Sequence, residues 1–220
     1  MNPLQTQMAT VGLQALAGHG FVLAGGYALQ LHGFGDRESD DIDLFTNDLD
    51  PNHFAEAVAL LTDTYRGTGL AAEVARQVAS FARLVVTDAG GAMAKADLGM
   101  DHRLLPPTMS TVGPVLSEQD ALGSKVGAVY SRLEPRDLID VQAVLDSGRY
   151  DADALLALAD QREVTALDRE MFAVQLRTGA RLPESGFQQY GATPELIARI
   201  RDTAGQWAER LARSSGTMGE

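Results

Sequence analysis

The 220-residue chain contains no cysteine, so no disulfide and no thiolate-held metal can stabilise it. Its four histidines, His19, His32, His53 and His102, are scattered rather than paired at ligand spacing. They read as packing or surface residues, and a structural zinc site is excluded. No apolar run reaches membrane-spanning length and no basic-then-apolar leader opens the sequence, so the expectation is a cytoplasmic protein with no membrane partner. Positive charge is scarce too: 18 Lys and Arg stand against 30 Asp and Glu, a formal net charge of −12. That argues against a broad basic face for nucleic acid, because phosphate neutralisation supplies most non-specific affinity. A local groove stays open, since basic residues gather between Arg132 and Arg136 and at Arg199, Arg201, Arg210 and Arg213. Apolar residues are plentiful at 45%, enough to bury a core in one domain or in two small lobes.

The densest information lies in Asp41-Ile-Asp43. Alternate residues of a strand point the same way, so Asp41 and Asp43 share one face while Ile42 and Leu44 fill the other. Two partly desolvated carboxylates side by side repel unless a cation or proton intervenes, and magnesium takes such oxygens together with substrate phosphates. Upstream, the apolar stretch Phe21 to Ala24 ends at Gly25-Gly26, and a helical pattern begins at Tyr27, Ala28, Leu29 and Leu31. A strand, a glycine turn and a helix start present bare backbone N–H groups, which attract phosphate.

Along the chain an α/β half gives way to a helical half. Leu4, Met8, Val11, Leu13 and Leu16 recur at helical spacing before Gly18 and Gly20. Asp50-Pro51 opens a second helix through Phe54, Val58, Leu60 and Leu61, with aspartate as cap and proline at the first position. Leu84 to Asp88 and Met93 to Leu98 flank Ala89-Gly90-Gly91 as a hairpin, so the sheet has at least four strands; the segment Leu70 to Val78 has no clear assignment. After Pro106-Pro107 the pattern is helical. Ser117-Glu-Gln-Asp120 has the form of a capped helix start. Within that helix Lys125 is flanked by Ala121, Leu122, Ala128 and Val129, so its stem lies on an apolar face, where it either snorkels or reaches a buried anion. Asp137 and Asp140 lie one turn apart on the next helix, behind Pro135. Further amphipathic helices run over Asp151 to Asp160, Arg169 to Arg177 and Pro194 to Leu211. The expected divisions are 1–115 for the α/β half, 116–213 for the helical half and 214–220 for a flexible tail.

The combination Leu23-Ala-Gly-Gly-Tyr-Ala-Leu, His32, Arg37-x-Ser39 and Asp41-Ile-Asp43-Leu resembles the nucleotidyltransferase superfamily, and specifically the AbiEii/AbiGii-type toxins, over about residues 15 to 146. Tyr27 departs from the family's small hydroxyl residue, which leaves Gly25, Gly26 and Ser39 to contact phosphate. The resemblance implies a nucleotidyltransferase-like mixed sheet with flanking helices, of α/β (α+β) class, followed by a C-terminal helical bundle. It implies a Mg2+ (or Mn2+) site at Asp41 and Asp43. A third carboxylate on a later strand would complete that site and act as base, with Asp97 the candidate and Asp101 its competitor. A lysine on the helix after the sheet, here Lys125, would belong to the active site, followed by the Arg136-Asp137-x-x-Asp140 segment. Arg37 would aid in binding the nucleotide.

What the resemblance implies for function is metal-dependent transfer of a nucleotide from an NTP to an acceptor hydroxyl by the toxin of a toxin–antitoxin pair. The acceptor would be RNA, at the 3′ end of a tRNA, and the partner a cognate antitoxin. Two alternatives share the residues: a small-molecule, antibiotic-type nucleotidyltransferase, which suits the acidic charge, and a catalytically silent nucleotide-binding module.

Overall fold

The computed structural model describes residues 1–216. The tail expected over 214–220 falls at and beyond that limit, its last four residues lying outside the described residues.

The chain divides into two units, Met1–His32 with Glu38–Glu118, and Gly33–Arg37 with Gln119–Glu220. In the first, helix α1 (Pro3–Ala15) starts on a capping box: the Asn2 side chain accepts from the Gln5 N–H while the Gln5 side chain accepts from the Asn2 N–H. Strand β1 (Val22–Ala24) leads into the short helix α2 (Gly25–Leu31), and β2 (Asp41–Thr46) returns antiparallel beside β1. Helix α3 (Pro51–Gly67) is capped by the Asp50 carboxylate, which accepts from the Asn52 N–H, with Pro51 at its first turn. Its buried residues Phe54, Ala57, Val58, Leu61 and Tyr65 follow the 3.6-residue period.

The segment from Leu70, unassigned in sequence, forms β3 (Ala71–Val78), the edge of a meander with β4 (Phe81–Thr87) and β5 (Met93–Met100). Asp88 closes the β4–β5 hairpin by accepting from the N–H groups of Gly90 and Ala92, with Gly91 at φ +85°. Two short strands, β6 (Thr108–Met109) and β7 (Pro114–Val115), complete a seven-stranded mixed sheet in the order β3-β4-β5-β2-β1-β7-β6 among the described residues. The β2–β5 and β1–β7 pairs are parallel and the others antiparallel.

One face of this sheet is closed by α1 and α3. Ile42, Leu44, Ala82, Leu84, Ala96 and Leu98 are fully buried there. The Tyr65 hydroxyl donates to the carbonyl of Met8, and Gly12 of α1 leaves room for Tyr65, Leu61 and Leu44. Because side chains alternate, Asp41 and Asp43 are forced to the opposite face.

The second unit is helical: α4 (Glu118–Ser131), α5 (Pro135–Asp146), α6 (Ala152–Arg162), α7 (Arg169–Gly179), α8 (Glu184–Gln188) and α9 (Pro194–Gly216). The five-residue α8 has too few turns to leave a sequence signature. Asp151 and Asp168 cap α6 and α7 by accepting from the N–H groups of Ala154 and Met171. Within its largely aliphatic core Phe172 stands edge-on to both Trp207 (5.1 Å between ring centres) and Tyr130 (5.9 Å). Phe34 ties the Gly33–Arg37 segment to this unit, edge-on to Tyr150 and under the Arg149 guanidinium. Among the described residues no helix is long and apolar enough to cross a membrane.

Candidate active site

The register of the sheet assembles the first cluster. Ala24 pairs with Asp43, Asp43 with Asp97, Asp97 with Arg83, and Arg83 with Arg76, so these five positions form one row across β1, β2, β5, β4 and β3. Directly paired residues share a face and stand about 5 Å apart. Asp41 lies two residues along β2 on that same face. The strand order therefore places Asp97, on the strand beside Asp43, in the row; Asp101 lies beyond the end of β5, its N–H donating to the Thr46 carbonyl.

Gly25 decides how close the loop comes. Its φ is +61°, and a Cβ there would sit 1.8 Å from Oδ2 of Asp43. Only a residue without a side chain allows the Asp43 carboxylate to lie against the first turn of α2. Gly26 is buried behind it.

Arg83 is the member that sequence reasoning missed. Its Nε donates to Asp97 Oδ1 at 2.7 Å and its Nη2 to Asp97 Oδ2 at 2.5 Å, while Nη2 is also 3.7 Å from Asp41 Oδ2. The guanidinium lies 6.0 Å from the centre of the Phe81 ring, which Arg76 also faces at 5.7 Å. The Asp97 hydrogen bonds hold Arg83 more firmly protonated than usual, outweighing its partial desolvation. A signal did exist: a hairpin that closes on Thr87 and Met93 must set residue 83 opposite residue 97.

Ser39 is held by groups that no local pattern reveals. Its carbonyl accepts from Gln5 Nε2 at 2.8 Å and lies 3.0 Å from the Tyr27 hydroxyl. That hydroxyl donates to Gln5 Oε1 at 2.6 Å and accepts from the Ser39 N–H at 3.3 Å. The Ser39 hydroxyl, thus positioned, donates to Asp41 Oδ1 at 3.3 Å. Tyr27 does not take the place of a small hydroxyl residue; it clamps the serine backbone.

In the second unit Lys125 and Asp137 are buried, with 7% and 0% of their surface exposed. Asp137 and Asp140 are therefore not an acidic surface, and Lys125 is not a snorkelling side chain. The buried anion it reaches is supplied by the chain: Nζ lies 3.1 Å from Asp137 Oδ1 and 3.0 Å from Asp140 Oδ2. Arg132 grips Asp137 through both oxygens at 2.8 Å, and Arg37 grips Asp140 through Nε and Nη2 at 3.0 and 3.1 Å. Arg37 also lies over the Tyr190 ring. Burial draws the Lys125 pKa down, but Asp140 and Asp137 outweigh it, and the ammonium stays charged above its ordinary range. Asp137 behaves conversely: burial pushes it up, and Arg132 with Lys125 brings it below the usual carboxylate value. Three cations against two carboxylates leave this chain of five with one positive charge in excess.

The donor set suits an ion that shares its shell with substrate. Among the described residues, no three His, Cys, Asp or Glu side chains gather closely enough to supply a metal's shell by themselves, so an ion at Asp41 and Asp43 would complete its shell with water, and with phosphate oxygens when substrate is bound. Asp41 and Asp43 with phosphate oxygens and water match what Mg2+ prefers.

No curated protein matches the chain at a significant level. Several solved structures are similar to it. MenT4, a nucleotidyltransferase toxin from Mycobacterium tuberculosis H37Rv, aligns at a TM-score of 0.57 and 20% identity over 97% of this chain and 90% of its own. JHP933 from Helicobacter pylori aligns at 0.51 and 15%, over 98% and 95%. At such identities the likeness is one of fold. The family model of the AbiEii nucleotidyl transferase toxin of type IV toxin–antitoxin systems matches residues 11–217, a span that contains Gly25, Ser39, Asp41, Asp43, Arg83, Asp97, Lys125, Asp137 and Asp140. The chain is a nucleotidyltransferase and belongs to the AbiEii toxin family.

Proposed function

We propose that the sheet face bearing Asp41 and Asp43 transfers a nucleotide from a nucleoside triphosphate to a hydroxyl of RNA, with the 3′ end of a tRNA as acceptor and a cognate antitoxin as the restraining partner. The observation that carries this reading is the seating of the Asp43 carboxylate against Gly25, one residue pair from Asp97 and two residues from Asp41. A carboxylate is thereby set against the first turn of α2, where helix N–H groups lack intrahelical partners.

Asp41 and Asp43 would hold Mg2+ or Mn2+, which supplies charge neutralisation of the triphosphate and polarisation of its α-phosphorus. The backbone at Gly25 and Gly26 and the hydroxyl of Ser39 would contact the phosphates. In the transfer, the acceptor oxygen bonds to the α-phosphorus as the bond to the bridging oxygen breaks. The electron pair leaves with pyrophosphate and the hydroxyl proton is released. Asp97, the family's third carboxylate, gives both oxygens to Arg83 and would have to release one to act as ligand or base. Phosphoryl transfer asks little of a base and much of positioning and charge. In the second unit we assign Lys125 and Arg37 to nucleotide binding, with Asp137 and Asp140 as the carboxylates that position them.

The test is to incubate the purified chain with Mg2+, total RNA and each α-labelled nucleoside triphosphate. Label on RNA is the expected result. Label on small hydroxylated compounds instead would favour the antibiotic-type reading, which suits the net charge of −12. Nucleotide binding without transfer to any acceptor would leave a binding module.

A further inference from the structure

On the sheet face, Asp41, Asp43 and Asp97 together carry three negative charges. Lys95, the register partner of Asp41, is exposed, where water screens its charge. Arg83 is different. It is paired in register with Asp97, engages both of that residue's oxygens, and extends Nη2 to 3.7 Å from Asp41 Oδ2. One group thus stands between Asp97 and Asp41, where a second divalent ion would otherwise be needed to bring the two carboxylates to terms. A guanidinium is suited to that place: it stays charged at any working pH, and its planar fork matches a carboxylate edge. With Arg83 counted, the residual charge is minus two, which one divalent ion neutralises.

We propose that Arg83 is a built-in second cation of the transfer site, so that the chain's own residues bind one divalent ion, at Asp41 and Asp43, and Asp97 serves to hold Arg83 and does not ligate metal. The inference rests on the metal assignment made above for Asp41 and Asp43. It gives Arg83 a task in the reaction as well: a fixed positive charge beside the ion, placed without reorganisation by two adjacent strands.

The test counts Mn2+ on the full-length chain by electron paramagnetic resonance and titration calorimetry, with the metal alone as probe. Wild type should bind one Mn2+ per chain, and Asp97→Asn should still bind one. Arg83→Gln should gain a second, with the broadened spectrum of two coupled ions. Two ions on wild type, loss of the ion in Asp97→Asn, or a single ion on folded Arg83→Gln would each overturn the proposal. Should Arg83→Gln not fold, the wild-type and Asp97→Asn counts decide alone. Failure of the underlying metal assignment looks different: one Mn2+ on wild type that persists in Asp43→Asn places the ion elsewhere and removes the basis for both readings.

Discussion

Asp43 and Gly25 touch: with φ at +61° and no side chain, Gly25 admits the Asp43 carboxylate to a place where a Cβ would come within 1.8 Å of Oδ2. Gly25→Ala should therefore be damaging twice over. The left-handed backbone costs about 1–2 kcal/mol for a residue with a Cβ, and the carboxylate must move besides. The melting temperature should fall and transfer should be lost. Asp43→Ala placed on top of Gly25→Ala should recover part of the stability and none of the activity; a double variant no more stable than the single would show that the contact is not the source of the strain.

Asp43→Asn removes charge from a site of like charges while nearly conserving shape. Thermal stability should hold or rise while turnover falls by about two orders of magnitude or more, as for other electrostatic groups at reacting centres. Asp41→Asn should be equally inactive but less stable, because Asp41 accepts from Ser39 and faces Arg83. Near-wild-type turnover of either variant in magnesium would remove the metal assignment.

Lys125→Met tests the buried network. From the sequence, a methionine here should cost activity at unchanged or higher melting temperature. The structure reverses the second half, since Lys125 lies between Asp137 and Asp140. Removing one partner of a buried pair typically costs about 3–5 kcal/mol. Lys125→Met should melt lower and lose activity together, and a double-mutant cycle with Asp140→Asn should show strong coupling. An additive cycle would mean that the ion pair contributes nothing to the fold.

Acid should act on the same network. The folded-state pKa of Asp137 lies below its ordinary 3.8, because Arg132 and Lys125 outweigh burial. A group so depressed adds stability that is present above its unfolded value and is lost as the pH falls through and below that value. Urea midpoints should hold between neutrality and roughly pH 5 and drop below about 4, with a shallower drop in Asp137→Asn. Equal acid slopes for the two proteins would contradict it.

Tyr27→Phe deletes the hydroxyl that joins Gln5 to Ser39 and leaves a buried N–H without that acceptor. A loss of about 1–3 kcal/mol is expected for such an unsatisfied group, measured by chemical denaturation. The KM for nucleotide should rise as Ser39 loosens. Unchanged stability and KM would make Tyr27 a packing residue alone.

How much of this could be read from the chain follows from the range of each interaction. Asp41 and Asp43 share a face because strands alternate, Gly25-Gly26 ends a strand because glycine tolerates positive φ, and Asp50-Pro51 starts a helix because cap and first turn are adjacent. Each needs only neighbours within a few residues, so the sequence by itself determined them, as it did an α/β half followed by helices; that the sheet is mixed was implied by the family resemblance alone. The position of Asp97 relative to Asp43 needed the strand order, which local periodicity does not contain; β2 pairs with β5 across more than fifty residues. The partners of Lys125 were half legible, since Asp137 and Asp140 share a helix side, but that their carboxylates are buried, with Asp137 wholly inaccessible, and matched by Arg132 and Arg37 depends on packing. Gln5 meets Ser39 34 residues away, and Arg83 meets Asp97 across a hairpin. Those contacts follow from how the strands and helices come together, which only the tertiary structure decided, because chain entropy makes any one long-range pairing improbable until the rest of the fold enforces it.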